Sequence, residues 1–182
     1  MEKILITGTG RCGTTFLIKL FSFLNYNTGY TKENYQLNIF DNCNSGMERK
    51  YNEEYYILKN PLFIRNIEHI IKDPTILIKY VIIPLRNLID SAKSRVKHGN
   101  DCGGLWNAKD EITQIKFYNE VITNYIIVST KYEINTIFID FDKMISNPVY
   151  LFNKIKPILE EKDIDYELFL SVYDEVTETS KP

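Results

Sequence analysis

The apolar run Ile4-Leu5-Ile6 leads straight into a glycine-rich turn, Thr7-Gly8-Thr9-Gly10-Arg11-Cys12-Gly13, and a helix-forming stretch begins at Thr14. No other part of the chain restricts the fold as tightly. Glycines at 8, 10 and 13 accept positive φ and carry no Cβ, so backbone N–H groups can close on an anion. A helix opening at Thr14 adds unpaired donors and a partial positive charge at the same point. The hydroxyls of Thr14 and Thr15 add two further donors. Strand, turn and helix together predict a phosphate-binding loop at the carboxyl end of a first strand.

Three phosphate chemistries share this outline. As G-x-G-x-x-G behind a strand, the loop fits a dinucleotide-binding fingerprint, or a non-catalytic Rossmann-like nucleotide-binding module. As the loop of a nucleotide or small-molecule kinase, it has Thr14 where a lysine would meet the β- and γ-phosphates. In the third reading, G-x-G-R-x-G-T-T-x-L resembles the 5′-phosphosulfate loop of sulfotransferases that use 3′-phosphoadenosine 5′-phosphosulfate (PAPS). A basic residue stands two places before the last glycine in that family, as Arg11 does here, and hydroxyl residues follow.

A second motif lies at Arg86-Asn87-Leu88-Ile89-Asp90-Ser91-Ala92-Lys93-Ser94-Arg95. It follows Ile76–Leu85, a nearly all-apolar run suited to a central parallel strand buried on both faces. The R-x₇-S spacing puts Arg86 at the strand end and Ser94 about two turns along the next helix. A guanidinium fork suits a phosphate, and a hydroxyl can add one more bond. This pattern resembles the family's 3′-phosphate motif, with Asn87-Leu88 where many relatives have Asn-Pro or Asp-Pro. The two motifs stand in the family's order, and together they span the nucleotide-binding half of the chain. The dinucleotide reading leaves Arg86 and Ser94 without a task, and Glu33, its best ribose acid, has no clear strand before it. For the kinase reading, Asp140 and Asp142 could hold magnesium, but their strand comes late and no basic lid is evident.

Elsewhere strands alternate with helices. Helices are expected over 14–25, from Asn60-Pro61 onward, from Asn87 to about Lys97, over 109–132, after Asp142 and Pro148, and over 166–176. Strands are expected over 55–59, 76–85 and 135–140. The alternation predicts a single α/β domain over 1–182, three layers deep, with helices on both faces of a central, mostly parallel sheet. Ligands in such folds bind beyond the carboxyl ends of the strands, so Gly8–Gly13, Lys59-Asn60 and Arg86-Asn87 should share one rim. From Tyr30 to Glu54 no period emerges; its tyrosines and Phe40 either line an acceptor pocket or pin a surface excursion.

Composition narrows the function classes. A formal net charge of −2 over 182 residues gives no reason for bulk nucleic-acid binding, so an anion site must be built from a few placed cations. Cys12, Cys43 and Cys102 are odd in number and widely spaced, which argues against a disulfide framework or a zinc site. Cys12, within the loop, either fills the turn or has its thiol activated by the helix N-terminus. No secretory signal and no apolar run near the roughly 18 residues of a membrane span is present, so a cytoplasmic protein without a membrane partner is expected.

The resemblance implies transfer of a sulfuryl group from PAPS to a hydroxyl or amine of a small-molecule or carbohydrate acceptor, without a metal. It assigns the 5′-phosphosulfate to Thr9, Gly10, Arg11, Cys12, Gly13, Thr14 and Thr15, and the 3′-phosphate to Arg86 and Ser94. Three residues compete as general base. Glu33, with Lys32, resembles the Lys-Glu pair of carbohydrate sulfotransferases; Glu48 lies in the same unpatterned segment; and His98 has the residue type that cytosolic relatives use. Lys59, ending a strand on the expected rim, could stabilise the leaving oxygen, contact the sulfate or point into water. Trp106, the only tryptophan, could stack on adenine or anchor a lid.

Overall fold

Alternate residues of the short strands belong to two separate cores. The computed structural model describes residues 1–40, 45–98 and 104–180. Strands β1 (Glu2–Ile6), β4 (Ile57–Lys59), β5 (Leu77–Leu85) and β6 (Thr136–Asp140) form one parallel sheet in the order β4-β1-β5-β6. Ile4, Ile6, Ile57 and Ile82 point to one face, under α1 (Thr14–Phe23), α6 (Pro148–Leu159) and α7 (Tyr166–Glu178). Leu5, Leu58, Val81 and Ile83 point to the other, under α2 (Phe63–Ile71) and α4 (Glu111–Lys131). This is the period-two alternation of a sheet covered on both sides. The fold is therefore α/β with three layers.

Helix α3 (Leu88–His98) packs against α4, on the opposite side of the sheet from α1. The chain thus leaves β1 toward one face and β5 toward the other. Such a reversal opens a crevice at the carboxyl ends of the two adjacent strands. Both sequence motifs occupy those ends.

Several boundaries differ from expectation. The first helix stops at Phe23, because Asn25 takes a positive φ of 59° and the amide of Tyr26 bonds back to the Phe21 carbonyl. Pro61 does not open α2. The Asn60 side chain accepts the Leu62 amide and its carbonyl accepts Phe63, so a tight turn precedes the helix at Phe63. Only the second half of β5, Val81–Pro84, is buried; Leu77 is exposed and Ile78 to Tyr80 are half-buried, Ile78 and Tyr80 packed at the margins of the two cores.

The unpatterned segment contains a 3₁₀ turn, Tyr35–Asn38, and a small antiparallel ladder of β2 (Ile39–Phe40) with β3 (Ser45–Gly46). Tyr30 and Tyr35 are buried core residues and pin it. The short helix α5 (Phe141–Ser146) follows β6 directly. Cys43 and Cys102 lie outside the described residues. Among the described residues no helix is long and apolar enough to cross a membrane.

Candidate functional site

The crevice at the strand ends is a cavity of about 860 Å³, within the usual range for small-molecule sites. Gly10, Arg11, Gly13, Thr14 and Thr15 line it from the loop, Lys59 and Asn60 from the end of β4, and Arg86 from the end of β5. All three expected rim segments therefore meet at one site.

Gly13 sits at the N-terminus of α1 in the left-handed region, φ 89°, and no side chain caps the helix. The amides of Thr14, Thr15 and Phe16 have no intrahelical acceptor, as at any helix start, and no group among the described residues takes them up. Gly10 has φ 76°, and a Cβ there would stand 2.1 Å from Nη2 of Arg95. The loop is closed so tightly around that guanidinium that only glycine fits. Gly10→Ala should therefore destabilise the fold by about 1–3 kcal/mol, from left-handed strain plus displacement of Arg95. Urea unfolding measures this directly, and an unchanged midpoint would refute the tight closure.

Arg11 turns its side chain away from the glycine loop toward the second motif. Its Nε donates to Ser94 Oγ at 3.1 Å, and Arg86 Nη1 donates to the Arg11 carbonyl at 3.2 Å. Two motifs read separately are thus one hydrogen-bonded unit. Burial, then the like charges of Arg95 and Arg86, hold the Arg11 guanidinium below its ordinary pKa. Cations crowded together at a cavity wall favour a bound anion.

Arg95 was not singled out by spacing, yet it ties the site together. Its guanidinium is buried and donates to Tyr118 Oη at 2.6 Å, to the Gly104 carbonyl at 2.6 Å and to the Thr9 carbonyl at 3.2 Å. Its Cζ lies 3.9 Å from the centre of the Trp106 ring. Trp106 lines the cavity, and its amide donates to Gln114 Oε1 at 2.6 Å. Loop, tryptophan and α4 are thereby held by one side chain. Its one sequence signal was its place directly after Ser94 in the second motif.

The remaining candidates separate clearly. Thr9 is buried and contributes its carbonyl to Arg95 rather than a hydroxyl to the cavity. Cys12 is fully buried, and burial pushes its thiol above the ordinary value, which leaves it a poor nucleophile that fills the turn under Gly8. Glu33 is exposed, its carboxylate held low by the Thr31 hydroxyl, and it does not line the cavity. His98 ends α3 and also lies off the cavity wall, with burial and then Arg11 holding its pKa down.

Glu48 is the base candidate that does line the cavity. Lys59, only 1% exposed, donates to Glu48 Oε1 at 2.5 Å and to the Gly46 carbonyl at 2.7 Å. The segment that carries Glu48 is clamped to the end of β4, where the Arg49 amide donates to the Lys59 carbonyl and Asn60 Nδ2 donates to the Arg49 carbonyl. Lys59 thus faces a carboxylate in the cavity wall and not bulk water. Burial pulls its pKa down, and Glu48 opposes that pull.

Set against models of known families, against curated proteins and against solved structures, the chain matches none.

Proposed function

We propose that the chain is a sulfotransferase that moves a sulfuryl group from PAPS to a hydroxyl or amine. The observation that carries this reading is the joining of the first-strand loop to the R-x₇-S motif, Arg11 to Ser94 and Arg86 to Arg11, with Arg11 and Arg86 in the wall of one cavity and Ser94 behind Arg11, off that wall. A nucleotide with phosphate groups at both ends of its ribose needs two anion sites within one molecule's reach. A dinucleotide or a nucleoside triphosphate leaves the second site without a task.

When bound, PAPS supplies the sulfuryl group and a phosphate leaving oxygen. The first-turn amides of α1, with the hydroxyls of Thr14 and Thr15, donate to the anion at the loop. Arg86, Ser94 and Arg11 hold the second phosphate. Glu48 takes the proton from the acceptor as the acceptor oxygen or nitrogen bonds to sulfur and the bond from sulfur to the phosphate oxygen breaks. Lys59, already turned to Glu48, places a positive charge beside the groups on which negative charge shifts.

Transfer of radiolabelled sulfate from PAPS to a panel of phenols, amines, sugars and lipids tests the reaction. Labelled product that depends on the protein supports it, and no labelled product across the panel argues against it. Binding has its own check. The desulfated nucleotide, 3′-phosphoadenosine 5′-phosphate, should stabilise the protein in the presence of a chelator, by about 2.7 kcal/mol at a hundredfold excess over Kd. A thermal shift seen only with NAD, or only with ATP and magnesium, would favour a dinucleotide or kinase reading instead.

A further inference from the structure

Apolar side chains, Phe16, Ile39, Phe40, Phe141 and Ile145, also line the cavity, and further along α1 from the glycine loop Lys19 lines it as a cation. Lys19 is only 3% exposed. Its Nζ donates to the Thr179 carbonyl at 3.1 Å and to Ser180 Oγ at 3.4 Å, and lies 4.6 Å from the centre of the Tyr35 ring. Among the described residues no carboxylate forms an ion pair with it. Glu175, whose charge it feels, is engaged by Lys32 at 2.5 Å.

Buried charges are ordinarily paired with an opposite charge, because dipoles and ring faces alone recover only part of the lost hydration. Among the described residues Lys19 is held only by dipoles and rings, and burial pulls its pKa down to about 8. In a helix whose neighbouring residues are apolar, a methionine would fit the same space at lower cost to the fold. A counter-charge brought by a ligand would account for the lysine.

We infer that this end of the cavity is the acceptor subsite and that Lys19 holds the carboxylate of a compact hydroxylated acid. The inference rests on the sulfuryl-transfer reading for the word acceptor, but not for the binding it describes. Thr14 and Lys19 are five residues apart on α1, about 7.5 Å of helix rise, which leaves room for one aromatic ring or a short chain between them. An oligosaccharide would bury many hydroxyls against the apolar side chains of the cavity wall without partners. An acid with one reacting hydroxyl suits the wall better.

Calorimetric titration of the full chain without nucleotide, using para-hydroxyphenylacetate and its uncharged amide, tests this. The acid should bind at least about tenfold more tightly than the amide, as for a charge-assisted contact. Lys19→Met should abolish that preference, and Lys19→Arg should keep most of it. Lys19→Met removes a buried charge, so the variant should fold at least as well as the parent. Should it not fold, the parent and Lys19→Arg still decide the matter. Equal affinities for acid and amide, no binding of either at millimolar concentration, or a preference retained in Lys19→Met would each overturn the subsite. The larger reading fails separately. Acid preference without binding of 3′-phosphoadenosine 5′-phosphate would leave the subsite standing and remove sulfuryl transfer. Transfer to neutral phenols alone, without acid preference, would do the reverse.

Discussion

Replacing Arg86 by alanine should weaken binding of 3′-phosphoadenosine 5′-phosphate by ~2–5 kcal/mol, roughly thirtyfold to several-thousandfold. Arg86 lies half-buried at the end of β5, its Cζ 4.8 Å from the centre of the Phe141 ring and its Nη1 on the Arg11 carbonyl. The substitution removes both a fork of donors and the hydrogen bond that joins the second motif to the glycine loop. Folding stability should change far less. Arg86 is one of the like charges that hold Arg11 below its ordinary pKa, so its loss relieves repulsion in the free protein while costing affinity in the complex. That split separates a ligand contact from a structural one. Arg86→Lys should fall between, because an ammonium keeps the charge and loses the planar fork. The affinity of the parent should also decline with salt, and less steeply in Arg86→Ala. Calorimetric titration reads all three, and an Arg86→Ala affinity equal to the parent's would remove the nucleotide from this site.

The layered α/β fold was legible because each strand of the four-stranded sheet carried its own signal, whereas β2 and β3 carried none. Ile4-Leu5-Ile6 and Val81–Ile83 are apolar on both faces, and only a sheet covered twice accommodates that. Glycine spacing placed the loop, since φ at Gly10 and Gly13 demands that residue type. The joining of the two motifs was not legible. Arg11 could be assigned to the loop that carries it, but the direction of a long side chain depends on what α3 presents across the crevice, here Ser94. Arg95 and Lys19 were hidden for a related reason. On a helix, a charged residue reads as solvent-facing unless its neighbours in space are known. Buried contacts with Thr9, Tyr118 and Thr179 come from distant parts of the chain. The segment from Tyr30 to Glu54 had no period because two different demands alternate in it. Tyr30 and Tyr35 face the core, while Ile39, Phe40, Ser45 and Glu48 face the cavity.

Glu48 is where that hidden order bears on chemistry. Glu48→Gln should lower kcat for sulfuryl transfer by ~10²–10⁴, the usual contribution of a placed general base, and leave affinity for 3′-phosphoadenosine 5′-phosphate nearly unchanged. The arrangement around Lys59 makes the prediction more specific. Burial is the largest influence on the Lys59 ammonium and lowers its pKa, while the charge and hydrogen bond of Glu48 raise it. A neutral glutamine removes the opposing influence, so the Lys59 pKa falls further and its positive charge is lost at a lower pH than in the parent. Residual activity of Glu48→Gln should therefore decline as pH rises, in a range where the parent still holds its charge. Glu48→Asp keeps the carboxylate but shortens its reach, and should recover part of both the rate and the parent's pH profile. Equivalent substitutions at Glu33 and His98, which lie off the cavity wall, should leave kcat within about twofold, as for surface changes away from the chemistry. A Glu48→Gln protein with parental kcat would show that the acceptor loses its proton to some other group, and would leave the contact between Glu48 and Lys59 a purely structural clamp on β4.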